Sequence, residues 1–229
     1  MDSGVIGQVE SGSEPVSDFT KEISIQHELF DELSQCLNVT EDIRMPDGRT
    51  AQFGQAAIEE ISSVEETDIV DGGIDTYKKP RKIVKTTYFL HVPGNFVVAS
   101  SGEGRFVFDL ISREFSNSVD RIEFDIDSYI DEIYDEGINP WKVGFYDNVG
   151  NAENGVLHGE NILSDSEFEE VFKSAKKNQV GLNHSYDGKE IKNFVTESGY
   201  VEIYQPSDFS TGEFATYIED ALLHHSYQP

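Results

Sequence analysis

Positive charge is scarce in this chain, and cysteine is nearly absent. Lys and Arg together number 17 against 44 Asp and Glu, which leaves a formal charge of -27 over 229 residues. The single cysteine, Cys36, excludes an internal disulfide and with it a disulfide-stapled scaffold; a reducing compartment is expected. No apolar run approaches the ~18 residues of a membrane-spanning helix, so no membrane partner is expected. The opening stretch, MDSGVIGQVESGSEPVSD, lacks the basic start and apolar core of a signal peptide, and a cytoplasmic location follows as the expectation. No repeat of roughly 20–50 residues is visible, which argues against a solenoid or propeller.

What is present is aromatic and acidic. Fifteen Phe and ten Tyr are too many for a disordered chain, so a packed core is expected. In dilute buffer a charge of -27 would repel itself and oppose compaction. At 1 M salt the Debye length falls to about 3 Å, and the same hydrated carboxylates become a means of staying soluble. The composition therefore reads as salt adaptation, that of a halophile's cytosol. An acidic mimic of DNA that inhibits a nucleic-acid enzyme is the alternative, but it needs acids gathered on one face, and here they run from Asp2 to Asp220.

Local patterns predict an α+β fold: a mainly antiparallel sheet of hairpins with a C-terminal meander, and about four to five packed helices. Residues 1–17 read as a disordered acidic arm, 18–147 as an N-terminal α+β region, and 155–229 as a C-terminal α+β subdomain that may be continuous with it. Phe19, Ile23, His27, Phe30, Leu33 and Leu37 recur at spacings of three and four, which predicts an amphipathic helix through Cys36. Pro46-Asp47-Gly48 marks a hairpin within Asp42–Phe53. Ala56–Val64 has no clear period, and Glu65–Asp75 reads as an acidic Gly-rich loop. Lys82–Val92 and Phe96–Ala99 should pair across Pro93-Gly94-Asn95, with a helix over Arg105–Phe115 packed on them.

Further along, Ile122, Phe124 and Ile126 alternate as a strand, Ser128–Tyr134 is helical, and Gly137 is its stop. Trp141, Val143 and Phe145 form a strand with Val156-Leu157 as its partner. Ser164 and Glu167 make a capping box ahead of a helix through Ala175. Asp187-Gly188 and Ser198-Gly199 are the two turns of a meander over Val180–Tyr204, and Ser210 and Glu213 cap a final helix.

Candidate functional residues come from where the scarce lysine sits. Lys78, Lys79, Arg81, Lys82 and Lys85 form one cluster, and Lys173, Lys176, Lys177, Lys189 and Lys192 a second. Cations retained on an acidic surface suit contacts to an acidic protein partner or to nucleic-acid phosphates. Their ordinary reading is a solvated strand entry and a helix C-terminus whose dipole the lysines complement. Glu190-Ile191-Lys192 has the spacing of the Glu-x-Lys half of a metal-dependent nuclease site, with both side chains on one strand face, but its partner Asp is missing.

Asp125, Asp127, Asp131 and Glu132 lack the Gly and terminal Glu of a calcium loop. Six scattered histidines form no helical His pair, and His224-His225 suits a dipole contact at a helix end. No nucleophile elbow, phosphate loop or dinucleotide turn occurs. The expectation is a non-enzymatic binding or regulatory protein within a larger assembly, touching a protein partner or nucleic acid through the lysine patches, with no metal and no cofactor. An unrecognised metal-dependent nuclease built on Glu190 and Lys192 is the alternative.

Overall fold

The computed structural model describes residues 1–135, 138, 140–149, 152–160, 162 and 175–228. Its strands are β1 (Ser3–Ser11), β2 (Phe19–Ser24), β3 (Glu32–Arg44), β4 (Thr50–Val70), β5 (Gly73–Val92), β6 (Phe96–Ala99), β7 (Ser118–Arg121), β8 (Glu123–Phe124), β9 (Pro140–Val149), β10 (Ala152–His158), β11 (Lys176–Tyr186), β12 (Lys189–Thr196), β13 (Tyr200–Gln205) and β14 (Ser226–Tyr227). Its helices are α1 (Phe106–Glu114), α2 (Ile126–Asp135) and α3 (Thr211–Tyr217), the last running on through a π turn at Ile218–Leu222.

One 12-stranded sheet dominates, in the order β10-β9-β11-β12-β13-β1-β6-β5-β4-β3-β2, with β7 also on β1; β14 and β8 form a separate pair. Every pairing among the described residues is antiparallel. Strand makes up 59% and helix 17% of the described residues. This corrects the expected fold of four to five packed helices: three helices are present among the described residues, and the sheet is the body of the protein.

Period-two alternation splits the core into two layers. Ile6, Leu90, Val92, Phe96 and Val98 face one side, beneath α2 and α3 with Phe214, Tyr217 and Ile218. Val5, Val9, Phe89, Val97 and Ala99 face the other, beneath α1 with Val107, Phe108, Leu110 and Ile111. Both faces at the centre of the sheet are covered, so β6 is buried at all four positions.

Two local expectations fail for identifiable reasons. The predicted helix over Phe19–Cys36 is β2, a connection and β3. Spacings of three and four between Phe19, Ile23, Phe30 and Leu33 arise from two strands separated by a loop, whereas Gln35 and Leu37 are buried in strict alternation. Cys36 accordingly faces away from Leu37, opposite Thr20 and Ala57, and is half-buried. Residues 3–11, within the stretch expected to be a disordered arm, are β1 at the middle of the sheet. β1 pairs with β13 at Val5↔Tyr200 and with β6 at Ile6↔Val98.

The sheet is also continuous across the two expected regions. β13 lies on β1, and β9 and β10 pair up to Val149↔Ala152. The hairpins at Pro46-Asp47-Gly48, Pro93-Gly94-Asn95 and Asp187-Gly188, the turn at Ser198-Gly199, helix α1 and the Ser210/Glu213 capping box all form as expected. Ser164, Glu167, their expected helix and Gly137 lie outside the described residues.

Candidate functional site

Ala56–Val64 and Glu65–Asp75, unassigned or read as loop, form a single long ribbon. β4 and β5 pair without interruption from Gln52↔His91 out to Val70↔Gly73. Asp71 (φ 51°) and Gly72 (φ 76°) close it as a two-residue turn with both centres left-handed, the geometry whose twist matches a hairpin. Periodicity missed the ribbon because both its faces are wet, so no buried face imposes alternation.

Beyond Ile58↔Lys85 neither strand has a third neighbour among the described residues, leaving twelve further pairs. At about 3.3 Å per residue the ribbon extends about 40 Å from the sheet. No residue from Ala57 to Thr86 is buried. The base is braced by Ser34 N donating to Glu59 at 2.8 Å and by the Lys82 ammonium over the Phe30 ring at 5.9 Å. The tip is apolar: Ile69 is 82% and Ile74 79% exposed, and Val70 lies beside them.

The first lysine cluster lies along this arm, facing acids of β4. Lys82 meets Glu59 at 3.2 Å, Lys85 meets Glu60 at 2.8 Å, and Glu66 takes both Lys79 and Arg81; Lys78 stands opposite Glu65. Hydrogen bonds from Ser34 and then Lys82 hold the Glu59 carboxyl below its ordinary range. The second cluster does not join the first, since β11 and β5 are five positions apart in the sheet, about 24 Å at ordinary strand spacing.

Nor is the second cluster one patch. Lys176 pairs with Glu197 at 3.0 Å and Lys177 with Asp127 at 2.7 Å near one end of β11, while Lys189 pairs with Glu213 at the far end of the hairpin. Lys173 lies outside the described residues. Glu190 and Lys192 share a face of β12 as the strand period requires, and the Lys192 ammonium lies 4.6 Å from the Trp141 ring centre.

Three of the four carboxylates at residues 125–132 have separate partners. Asp125 accepts from Ser128 N at 3.0 Å as a cap for α2, Asp127 takes Lys177, and Glu132 receives both C-terminal histidines. His224 and His225 therefore meet a side chain of α2, which their proximity to a helix end had not indicated.

Beneath α3 lies a buried polar cluster that sequence patterning could not reveal. Asn193, fully buried, donates to Tyr217 Oη at 2.6 Å and Tyr129 Oη at 3.1 Å, and its Oδ1 accepts from Leu182 N at 3.2 Å. His184 Nε2 lies 2.9 Å from Tyr217 Oη. Burial, with the Tyr129 hydroxyl alongside, pushes the Tyr217 hydroxyl well above its ordinary pKa, so that hydroxyl stays protonated. Nearby, a cleft of about 400 Å³ is lined by Tyr186, Asp187, Lys189, Phe209, Glu213 and Asp220, among others; Lys189 pairs with Glu213 within it and Tyr186 Oη donates to Asp220 at 2.7 Å.

Among the described residues no helix is long and apolar enough to cross a membrane. The chain matches no protein-family model and no curated protein in sequence, so what it does has to be argued from this geometry.

Proposed function

We propose that this protein is a non-enzymatic binding component of a larger assembly, and that the β4–β5 arm engages a protein partner. The observation that carries this reading is the exposed apolar tip on an arm with nothing buried along it. An isolated two-stranded hairpin is marginally stable in water, and large exposed Ile side chains on an otherwise acidic surface are a liability unless something covers them. A socket receiving Ile69, Val70 and Ile74 would bury that surface and order the ribbon together.

Charge favours a protein over nucleic acid. Between residues 59 and 84 there are seven acids against four bases, and the cations face glutamates on the adjacent strand. A net-negative arm repels phosphate, so its lysines are best used in ordering the ribbon and in contacts to an acidic protein surface at its flank.

A photo-crosslinking side chain at position 74, compared with one at Val156 on the opposite edge of the sheet, tests this in host extract at molar salt. A discrete adduct with another protein, formed from position 74 alone, is the expected result. Equal labelling from both positions would overturn it, as would unchanged co-purification after residues 63–80 are replaced by a two-residue Asn-Gly turn. Sedimentation of the purified chain separates self-association through the tip, which would also count against a distinct partner.

A further inference from the structure

Glu132 on α2 and the adjacent His224 and His225, in the 3-10 turn Leu223–His225, bring three donor atoms within 4.8 Å of one another. His224 Nε2 lies 3.2 Å and His225 Nε2 3.1 Å from the same carboxylate oxygen, Glu132 Oε2. For a tetrahedral ion with bonds of about 2.0 Å, neighbouring donors stand about 3.3 Å apart. Both histidine-to-carboxylate separations match that spacing, and the two histidine nitrogens lie within 4.8 Å of each other.

A second observation comes from His225. Its side chain is only 4% exposed, and its Nε2 makes no hydrogen bond although Glu132 Oε2 lies beside it. Buried polar nitrogens are rarely left in that condition. His224 Nε2 hydrogen-bonds the same carboxylate oxygen at 3.2 Å, a contact that a bound ion would replace, since the lone pairs of its ligands converge on a point between them.

The other ring nitrogen, His225 Nδ1, lies 3.2 Å from Ser128 Oγ. A hydroxyl accepting Nδ1–H leaves the Nε2 lone pair free for a metal, the arrangement that orients most metal-bound histidines. The Tyr129 ring, 5.1 Å away and tilted against the imidazole, walls the inner side. Glu132 and His224 are each about half-exposed and open the outer side to solvent.

We propose that Glu132, His224 and His225 bind one divalent transition-metal ion of the zinc type, with the fourth position open to solvent. Two imidazoles and one carboxylate select zinc or cobalt over magnesium or calcium, which take oxygen ligands. The ion would fasten the C-terminal segment, whose β14 pairs with β8 at Ser226↔Phe124, to α2. The two sides of the site are 92 residues apart in sequence.

The test uses the full chain, stripped with a chelator and titrated with Zn²⁺ or Co²⁺ in molar KCl with excess Mg²⁺ to saturate the acidic surface. Calorimetry should show one Zn²⁺ per chain, and Co²⁺ should develop the visible absorption of a tetrahedral site. His224→Gln and Glu132→Gln, both exposed and therefore safe for folding, should each weaken Zn²⁺ at least tenfold. His225→Ala is unsuitable alone because the ring is packed. Absence of a one-to-one Zn²⁺ isotherm, or equal affinity in wild type and both variants, would overturn the proposal.

Discussion

Glu66 of β4 holds two cations of the facing strand, Lys79 at 3.7 Å and Arg81 in closer contact. It is the outermost step of a ladder that continues at Lys82–Glu59 and Lys85–Glu60. Exposed pairs of this kind are weak and are screened by salt, so they order the arm in dilute buffer and contribute little at 1 M. Amide exchange along residues 62–81 should be far faster than in β1 and β6. Glu66→Gln should quicken it further at low salt and leave it unchanged at molar salt; equal acceleration in both would show that the ladder is not electrostatic.

The tip should matter for binding and not for folding. Ile69 and Ile74 face each other across the ribbon in solvent, so replacing both with Ser removes no buried contact. The unfolding free energy from urea titration should stay within about 0.5 kcal/mol of wild type. Retention on a hydrophobic matrix and capture of the partner should both fall.

Asn193 should behave oppositely. Truncation to Ala leaves Leu182 N without its acceptor and removes the donor shared by Tyr129 and Tyr217, all in the core. Loss of about 2 kcal/mol is expected, read as a lower denaturant midpoint at unchanged slope. A change in slope would instead indicate an altered unfolded or native compactness.

Acid should destabilise the protein in two windows. His91 is fully buried, its Nδ1 lies 3.3 Å from Gln52 Oε1, and burial lowers its pKa from 6.5 to about 4. The unfolded chain therefore binds a proton between those values that the folded chain refuses, and stability falls as pH drops from 6.5 toward 4, by up to about 3 kcal/mol. Glu213, whose bond from Lys189 and then those from Ser210 lower its pKa from 4.5 to about 2, loses its contribution as pH falls through that lower range. Urea midpoints against pH should flatten between 4 and 6.5 in His91→Gln, and between 2 and 4.5 in Glu213→Gln.

Gly4 should not accept a side chain. It sits in β1 opposite Val201, and a Cβ there would stand 2.5 Å from Val98 Cγ1 and closer still to the Ala99 carbonyl. Gly4→Ala should cost about 1–3 kcal/mol by overpacking, measured as a lowered melting temperature. Tolerance of the substitution would show that the β1–β6 contact can relax.

Much of the local structure was legible in the residues themselves. Pro46-Asp47-Gly48, Pro93-Gly94-Asn95 and Asp187-Gly188 specify turns through backbone preferences that act over three or four residues. The Ser210/Glu213 box and the apolar side of α1 are likewise set by neighbours in sequence. The arm was half legible: Asp71-Gly72 between Ile69-Val70 and Ile74 is a hairpin signal, hidden because the strands it joins bury neither face.

What only the tertiary structure decided depends on partners remote in sequence. Phe19–Leu37 satisfies helical spacing and strand alternation about equally, and pairing with Ala57, Ala56 and their neighbours on β4 selects the strands. Residues 3–11 are polar enough to read as an arm, yet lie between β13 and β6 because Val5, Ile6 and Val9 fill both core layers. The lysine clusters, adjacent in sequence to nothing unusual, acquire glutamate partners only through strand register. The sequence by itself determined acidity, turns and caps, all of which follow from composition or from near neighbours. Strand order, the free arm, and the meeting of Glu132 with His224 and His225 follow from long-range packing, which no local pattern encodes.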